Sequence, residues 1–227
     1  MIFENTPSNP IEINRVKLED LHELCVLSRQ TFIDAFKDQN KEENISHFVE
    51  GAYTVENIGN QLNNPDSAFY FARPGPFGSI SAVTGNQEES LGTGPDFFQH
   101  DSPVSSSDFI QRVNSIDSPE NNRNPALGYM KINFGASQSD LQDFEALELE
   151  RIYVDSNQLG KGIGQLLLDK AIEIARKAGL IYIWLGVWEH NLNARRFYAK
   201  NGFVQFDQHI FTLGNDDQTD LLLKKIL

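Results

Sequence analysis

The chain is poor in sulfur and in positive charge. It holds one cysteine, Cys25, so no internal disulfide can form, and its five histidines (His22, His47, His100, His190, His209) are scattered without the spacing that ligates zinc. These absences predict a reducing, cytoplasmic setting and chemistry that needs no metal. Lysine and arginine number 19 against 32 acidic residues, a formal charge of −13. Such a chain repels a phosphate backbone, which argues against nucleic acid as a partner and for a cationic small molecule. Apolar runs fall well short of the roughly 20 residues a bilayer crossing requires. The opening MIFENTPSNP has neither a basic start nor a hydrophobic stretch, so no membrane association and no secretion are expected.

What is present suits a folded protein: 227 residues, 40% of them hydrophobic, can bury a substantial core. IEINRVK alternates as a half-buried strand does, and LEDLHELCVLSRQTFIDAF then repeats apolar residues at helical spacing through Leu18, Leu21, Cys25, Phe32 and Phe36. On that stripe Cys25 reads as a buried structural thiol. Two short helices follow, EENISHFVEGAY and TVENIGNQLNN, the second with Thr54 as N-cap and Asn64-Pro65 as a stop, before the aromatic strand SAFYFARP. From about 75 to 125 Gly, Pro, Ser, Asn and acidic residues take over, and this stretch reads as a disordered insertion. ALGYMKINFG and ALELERIYV are strands; a glycine loop, the helix IGQLLLDKAIEIARKA, the strand LIYIWLGVW, the helix NARRFYAKN and two last strands, GFVQFDQHIF and TDLLLKKIL, complete the pattern. The expected class is α/β (α+β), one twisted mixed sheet in a single domain over 1–227.

Leu159-Gly160-Lys161-Gly162-Ile163-Gly164-Gln165 follows a strand and opens a helix, where backbone N–H groups and the helix dipole hold a pyrophosphate. A dinucleotide fingerprint would need glycine where Gln165 stands, and a P-loop would need Ser or Thr where Gly162 follows Lys161. Neither nucleotide motif is complete.

With IYV before the loop, WLGVWEHN beyond the next helix and NARRFYAKNGF after it, the chain closely resembles the GNAT superfamily of acetyl-CoA-dependent N-acetyltransferases. The family's phosphate loop, R/Q-x-x-G-x-G/A, is matched over its last four positions, with Leu159 where Gln or Arg is usual. The pattern N-x-x-A-x-x-F-Y is met at Asn191, Ala194, Phe197 and Tyr198, and Gly202-Phe203 follows. LELERIYV, WLGVWEHN, NPDSAFYFA and the tail HIFTLGNDDQTDLLLKKIL are most similar to the PaiA-like polyamine acetyltransferases.

The resemblance implies a mostly antiparallel sheet whose middle strands splay apart between flanking helices. Acetyl-CoA would be the co-substrate, its pantetheine arm along Ile152, Tyr153 and Val154, its phosphates on residues Leu159 to Gln165, and Asn191, Ala194 and Phe197 beside it. Asn191 would either contact the cofactor or cap its helix, with Asn193 competing for the cap. A neutral primary amine attacks the thioester, which requires a base. Glu148 and Glu150 share a strand face by alternation, and Glu148 is the preferred base, acting through water. Tyr198 would be the acid for the departing thiolate, and Trp188 with Glu189 an aromatic and acidic wall for the acceptor. Asp34, Glu42 and Glu43 lie in the region that shapes acceptor pockets in this superfamily. Spermidine or spermine is the expected acceptor. A peptide N-terminus or lysine, and a CoA-binding regulatory protein with little catalysis, stay open as alternatives. So does a homodimer, since dimers are common in the superfamily.

Overall fold

A computed structural model describes residues 10–75, 124–213 and 216–227. The predicted insertion, except Gly75, Asn124 and Pro125, lies outside them. The chain runs β1 (Ile11–Arg15), a 3₁₀ turn (Leu18–Asp20), α1 (Leu21–Phe36), α2 (Glu42–Ala52), α3 (Val55–Leu62), β2 (Ser67–Pro74), β3 (Gly128–Phe134), β4 (Ala146–Val154), α4 (Ile163–Lys177), β5 (Tyr182–Trp188), α5 (Leu192–Lys200), β6 (Val204–Leu213) and β7 (Asp216–Ile226). Each of these helices and strands overlaps a predicted element. The Thr54 hydroxyl accepts the Asn57 N–H at 3.0 Å, so the predicted N-cap of α3 is in place.

The strands form one seven-stranded sheet in the order β1-β2-β3-β4-β5-β7-β6. Every pairing is antiparallel except β4 with β5. That parallel contact is short: Ala146 faces Tyr182, Leu147 faces Ile183, Glu148 faces Trp184, and there it stops. Beyond Glu148 the strands diverge, as expected, and β4 continues to Val154 with no strand partner on its β5-facing edge among the described residues.

Two cores hold the layers. On one face α4 buries Leu167, Leu168 and Ala171 against Ile132, Leu147, Leu149 and Ile183. Each fully buried leucine there contributes roughly 2 kcal/mol over an exposed one. On the other face α1 to α3 place Leu21, Leu24, Phe32, Ile45 and Ile58 over Phe69, Phe71 and Tyr129.

One irregularity positions the chemistry. Lys131 pairs with Arg151 but Ile132 pairs with Leu149, so Glu150 is an extra residue in β4, a β-bulge. Before it Leu147 and Leu149 face the α4 core; after it Ile152 and Val154 do, while Tyr153 faces the α1 side. Strict alternation explains the shared face of Glu148 and Glu150 only in part, because the bulge adds Arg151 and Tyr153 to the same side.

Candidate active site

The divergence of β4 and β5 opens a cleft of ≈ 940 Å³. Its walls include Ile152, Tyr153 and Val154, the loop residues Leu159, Gly160, Gly162, Ile163, Gly164 and Gln165, and from α5 and the turn before it Asn191, Ala194, Phe197 and Tyr198. One face of α1, with Thr31 and Asp34, and the turn after it, with Asp38, close the far side. The loop's shape follows from its glycines: Gly160 and Gly162 have φ of +77° and +82°, a region that side chains disfavour. A Cβ at either would meet nothing within 4 Å, so the space in front of the loop is open. Gly162 is also the N-cap of α4, whose first N–H groups have no carbonyl behind them in the helix. Lys161 alone of the predicted loop residues is absent from the cleft wall; its ammonium bonds Gln158 Oε1 at 2.9 Å.

A second cavity, ≈ 470 Å³, adjoins the cleft and shares Ile152, Tyr153, Trp188, Asn191, Ala194 and Tyr198 with it. Glu148 lies in its wall and is 2% exposed, so it is not a solvated edge carboxylate. It accepts the Ser139 N–H at 3.0 Å, the Ser139 hydroxyl, and Asn133 Nδ2 at 2.7 Å. Burial pushes its carboxyl above the ordinary glutamate range, against the pull of the Ser139 and Asn133 hydrogen bonds.

Glu150 has the opposite environment. It pairs with Lys131 and with Arg151 Nη2 at 2.9 Å, and Asn133 Nδ2 donates to it at 2.6 Å. Burial alone would raise its carboxyl, but the Arg151 and Lys131 charges outweigh burial and hold it below the usual range. Two neighbouring carboxylates thereby stand in opposite environments, Glu150 clamped by two cations and Glu148 buried against neutral hydrogen-bond donors.

Tyr198 is 5% exposed and stands in the wall common to both cavities, its ring edge-on to Phe197 and Phe203. Burial raises its phenol above 10, so the hydroxyl keeps its proton at neutral pH. Asn191 caps α5, its Oδ1 accepting the Ala194 N–H at 3.1 Å, and it also lines the cleft. Asn193 accepts from Arg196 instead. Trp188 lies in both walls beside Phe36.

Several expected acidic residues are elsewhere. Glu189 lines neither cavity; its side chain is 40% exposed near His190, and its carbonyl accepts from Arg195. It lies in the turn that follows β5, beyond the last strand residue Trp188. Glu42 and Glu43 are exposed at the start of α2, and Asp34 faces the larger cleft. The acids of the smaller cavity are Glu148, Glu150, Asp140 and Asp220, with His209 between the last two: Nδ1 is 3.0 Å from Asp140 and Nε2 3.8 Å from Asp220. His209 and Asp220 are partners across the β6–β7 hairpin, and Asp140 joins them from the loop before β4, far away in sequence. Cys25, as predicted, is buried, its thiol pushed up to about 11 by burial.

The geometry fits acetyl-CoA on this chain's own features: a free strand edge for an amide-bearing arm, and an open glycine loop at a helix N-terminus for phosphates. The comparisons agree. Residues 117–203 match the acetyltransferase (GNAT) family. An N-acetyltransferase from the pepI 3′ region of Lactobacillus delbrueckii subsp. lactis is 31% identical over 217 residues, 96% of this chain and 98% of that one. The fold is shared with the PaiA N-acetyltransferase of Thermoplasma acidophilum in complex with coenzyme A, with a TM-score of 0.60 and 21% identity, over 96% of this chain and 99% of that one. It is shared also with a GCN5-related N-acetyltransferase of Rhodopseudomonas palustris, with a TM-score of 0.59 and 12% identity, over 98% and 99% of the two chains. This chain therefore belongs to the GNAT family and is an acetyl-CoA-dependent N-acetyltransferase.

Proposed function

We propose that the acceptor is a primary amine held in the smaller cavity, that Glu148 is its base and Tyr198 the acid, and that polyamines such as spermidine and spermine are the preferred acceptors. Bound acetyl-CoA supplies an activated thioester carbonyl. An alkylamine is protonated at neutral pH, and Glu148, its carboxyl raised by burial, suits withdrawal of that proton through a water in the cavity. Glu150, fixed as an anion by Lys131 and Arg151, keeps a negative charge beside it whatever Glu148's protonation state. At the wall common to both cavities, the buried phenol of Tyr198 is a proton source for the sulfur that departs.

The observation that carries this reading is the opposed environment of Glu148 and Glu150 in a cavity that meets the cofactor cleft at Tyr198. The polyamine preference is supported by four carboxylates among aromatic rings in that cavity. The similarity of LELERIYV, WLGVWEHN and the C-terminal tail to PaiA-like enzymes supports it too.

The test is thiol release from acetyl-CoA with spermidine, spermine, a lysine-containing peptide and no acceptor in parallel. Release dependent on the polyamines is expected. Release with the peptide alone would overturn the polyamine assignment and keep the mechanism, and no stimulated release while acetyl-CoA still raises the melting temperature would overturn both.

A further inference from the structure

β5 carries a glycine at its centre. Gly186 is exposed, while its neighbours Leu185 and Val187 are 1% and 6% exposed. It sits on the cavity side of the sheet, in the wall that also holds Glu148 and Trp188. A Cβ there would lie 3.6 Å from Asp220 Oδ2 and 3.8 Å from Leu222 Cδ2, ordinary contact, so packing does not demand glycine and its φ does not either. The missing side chain leaves the cavity floor open directly under the Asp220 carboxylate.

Asp220 lies opposite Trp188 across the β5–β7 pairing, its side chain 22% exposed. Among the described residues no lysine or arginine ion-pairs with it; its basic neighbour is His209, with Nε2 3.8 Å away. Burial, with Asp140 adding to it, holds its carboxyl above the ordinary aspartate range, and the His209 charge opposes this. This carboxylate faces a cavity with a desolvation cost that no fixed cation offsets, in contrast to Glu150.

Resting on the amine-transfer reading above, we propose that Gly186 and Asp220 set acceptor specificity: the open floor admits the acceptor's chain, and Asp220 holds a second ammonium, so the enzyme selects diamines over monoamines of equal length. The aromatic rings of Trp188 and Phe211 flank the path of the methylene chain.

Thiol release is measured with a series of linear α,ω-diamines, each against the n-alkylamine of the same length, and acetyl-CoA binding is followed by calorimetry. The best diamine is expected to exceed its monoamine in kcat/KM by about tenfold, the worth of one partly buried ion pair. Asp220→Asn is expected to erase that excess at unchanged acetyl-CoA affinity. Gly186→Leu, which fills the floor against the Asp220 carboxylate but keeps its charge, is expected to depress every diamine at unchanged acetyl-CoA affinity, and it keeps the test decisive should Asp220→Asn fail to fold. Equal wild-type rates for diamine and monoamine sink this proposal alone, as does an equal loss of both in Asp220→Asn or undiminished diamine turnover in Gly186→Leu. If no amine stimulates release, the amine-transfer reading falls and this falls with it.

Discussion

Glu148 stands opposite Trp184 at the last rung that joins β4 to β5. On one side of that rung the sheet is continuous; on the other the strands part and the two cavities open. The carboxylate is thus held by the rigid part of the sheet and aimed at the open part. Ser139 and Asn133 fix its rotamer, and Trp184 is fixed in turn by Nε1 donating to Gln138 at 2.7 Å.

Replacing Glu148 with Gln removes the proton acceptor and keeps the volume. The expected result is a loss of roughly 10²–10⁴-fold in kcat, the usual worth of a positioned base, with acetyl-CoA affinity retained. Because the carboxyl's pKa is raised, the wild-type enzyme is expected to lose activity on acidification at a higher pH than an ordinary glutamate would dictate. Only the deprotonated form accepts a proton, so activity is present above the raised pKa and lost as pH falls through it. A pH–rate profile whose acidic limb is unmoved in Glu148→Gln would remove the assignment.

Tyr198→Phe deletes one hydroxyl from a buried ring that packs on Phe197 and Phe203. Stability should hardly change, while kcat falls by about 10²-fold if the phenol protonates the leaving sulfur. Unchanged turnover would leave Tyr198 a packing residue.

Gly162→Ala tests the phosphate loop without steric interference, since nothing lies within 4 Å of the added methyl. The cost is conformational, about 1–2 kcal/mol for a side chain at positive φ. It should appear as weaker acetyl-CoA binding by calorimetry, with the turn shifting its N–H groups; undiminished affinity would argue against a role for the loop.

The two ends flanking residues 76–123 are tied together. Asn124 Nδ2 donates to the Pro74 and Gly75 carbonyls at 3.1 Å, and Arg73 Nη1 reaches the Asn124 carbonyl at 2.8 Å while the same guanidinium pairs with Glu23 at 2.7 Å. Glu23 also accepts the Ala126 N–H at 2.8 Å. Joining Gly75 to Asn124 through a short turn should therefore leave the melting temperature and acetyl-CoA binding near wild type. Loss of the folded protein would show that residues 76–123 contribute to the core.

The elements were legible because each announces itself within a few residues: apolar spacing gives Leu21, Cys25 and Phe32 a common helix face, and Thr54 caps its own helix. The glycine loop was legible for the same reason, since Gly160 and Gly162 sit at a strand-to-helix turn. The strand that carries Glu148 was legible and the resemblance singled that residue out, but its burial could not be read there, because Ser139 and Asn133 come from elsewhere in the chain. Glu189 follows Trp188 in sequence, yet it lies in the turn after β5 and lines neither cavity.

The sequence alone determined the elements, their order and the glycine turn before α4, since these depend on periodicity and turn chemistry acting over a few residues, while the tyrosine motif was legible through the resemblance to the GNAT family. Tertiary structure decided which carboxylate is clamped by cations and which is buried among neutral donors, and which acids line the smaller cavity. Asp140 reaches the His209–Asp220 pair only when the loop before β4 folds over the β6–β7 hairpin, and the bulge at Glu150 appears only when β4 is paired with β3. Burial and charge neighbours set both outcomes, and those are properties of the packed sheet, not of any short segment.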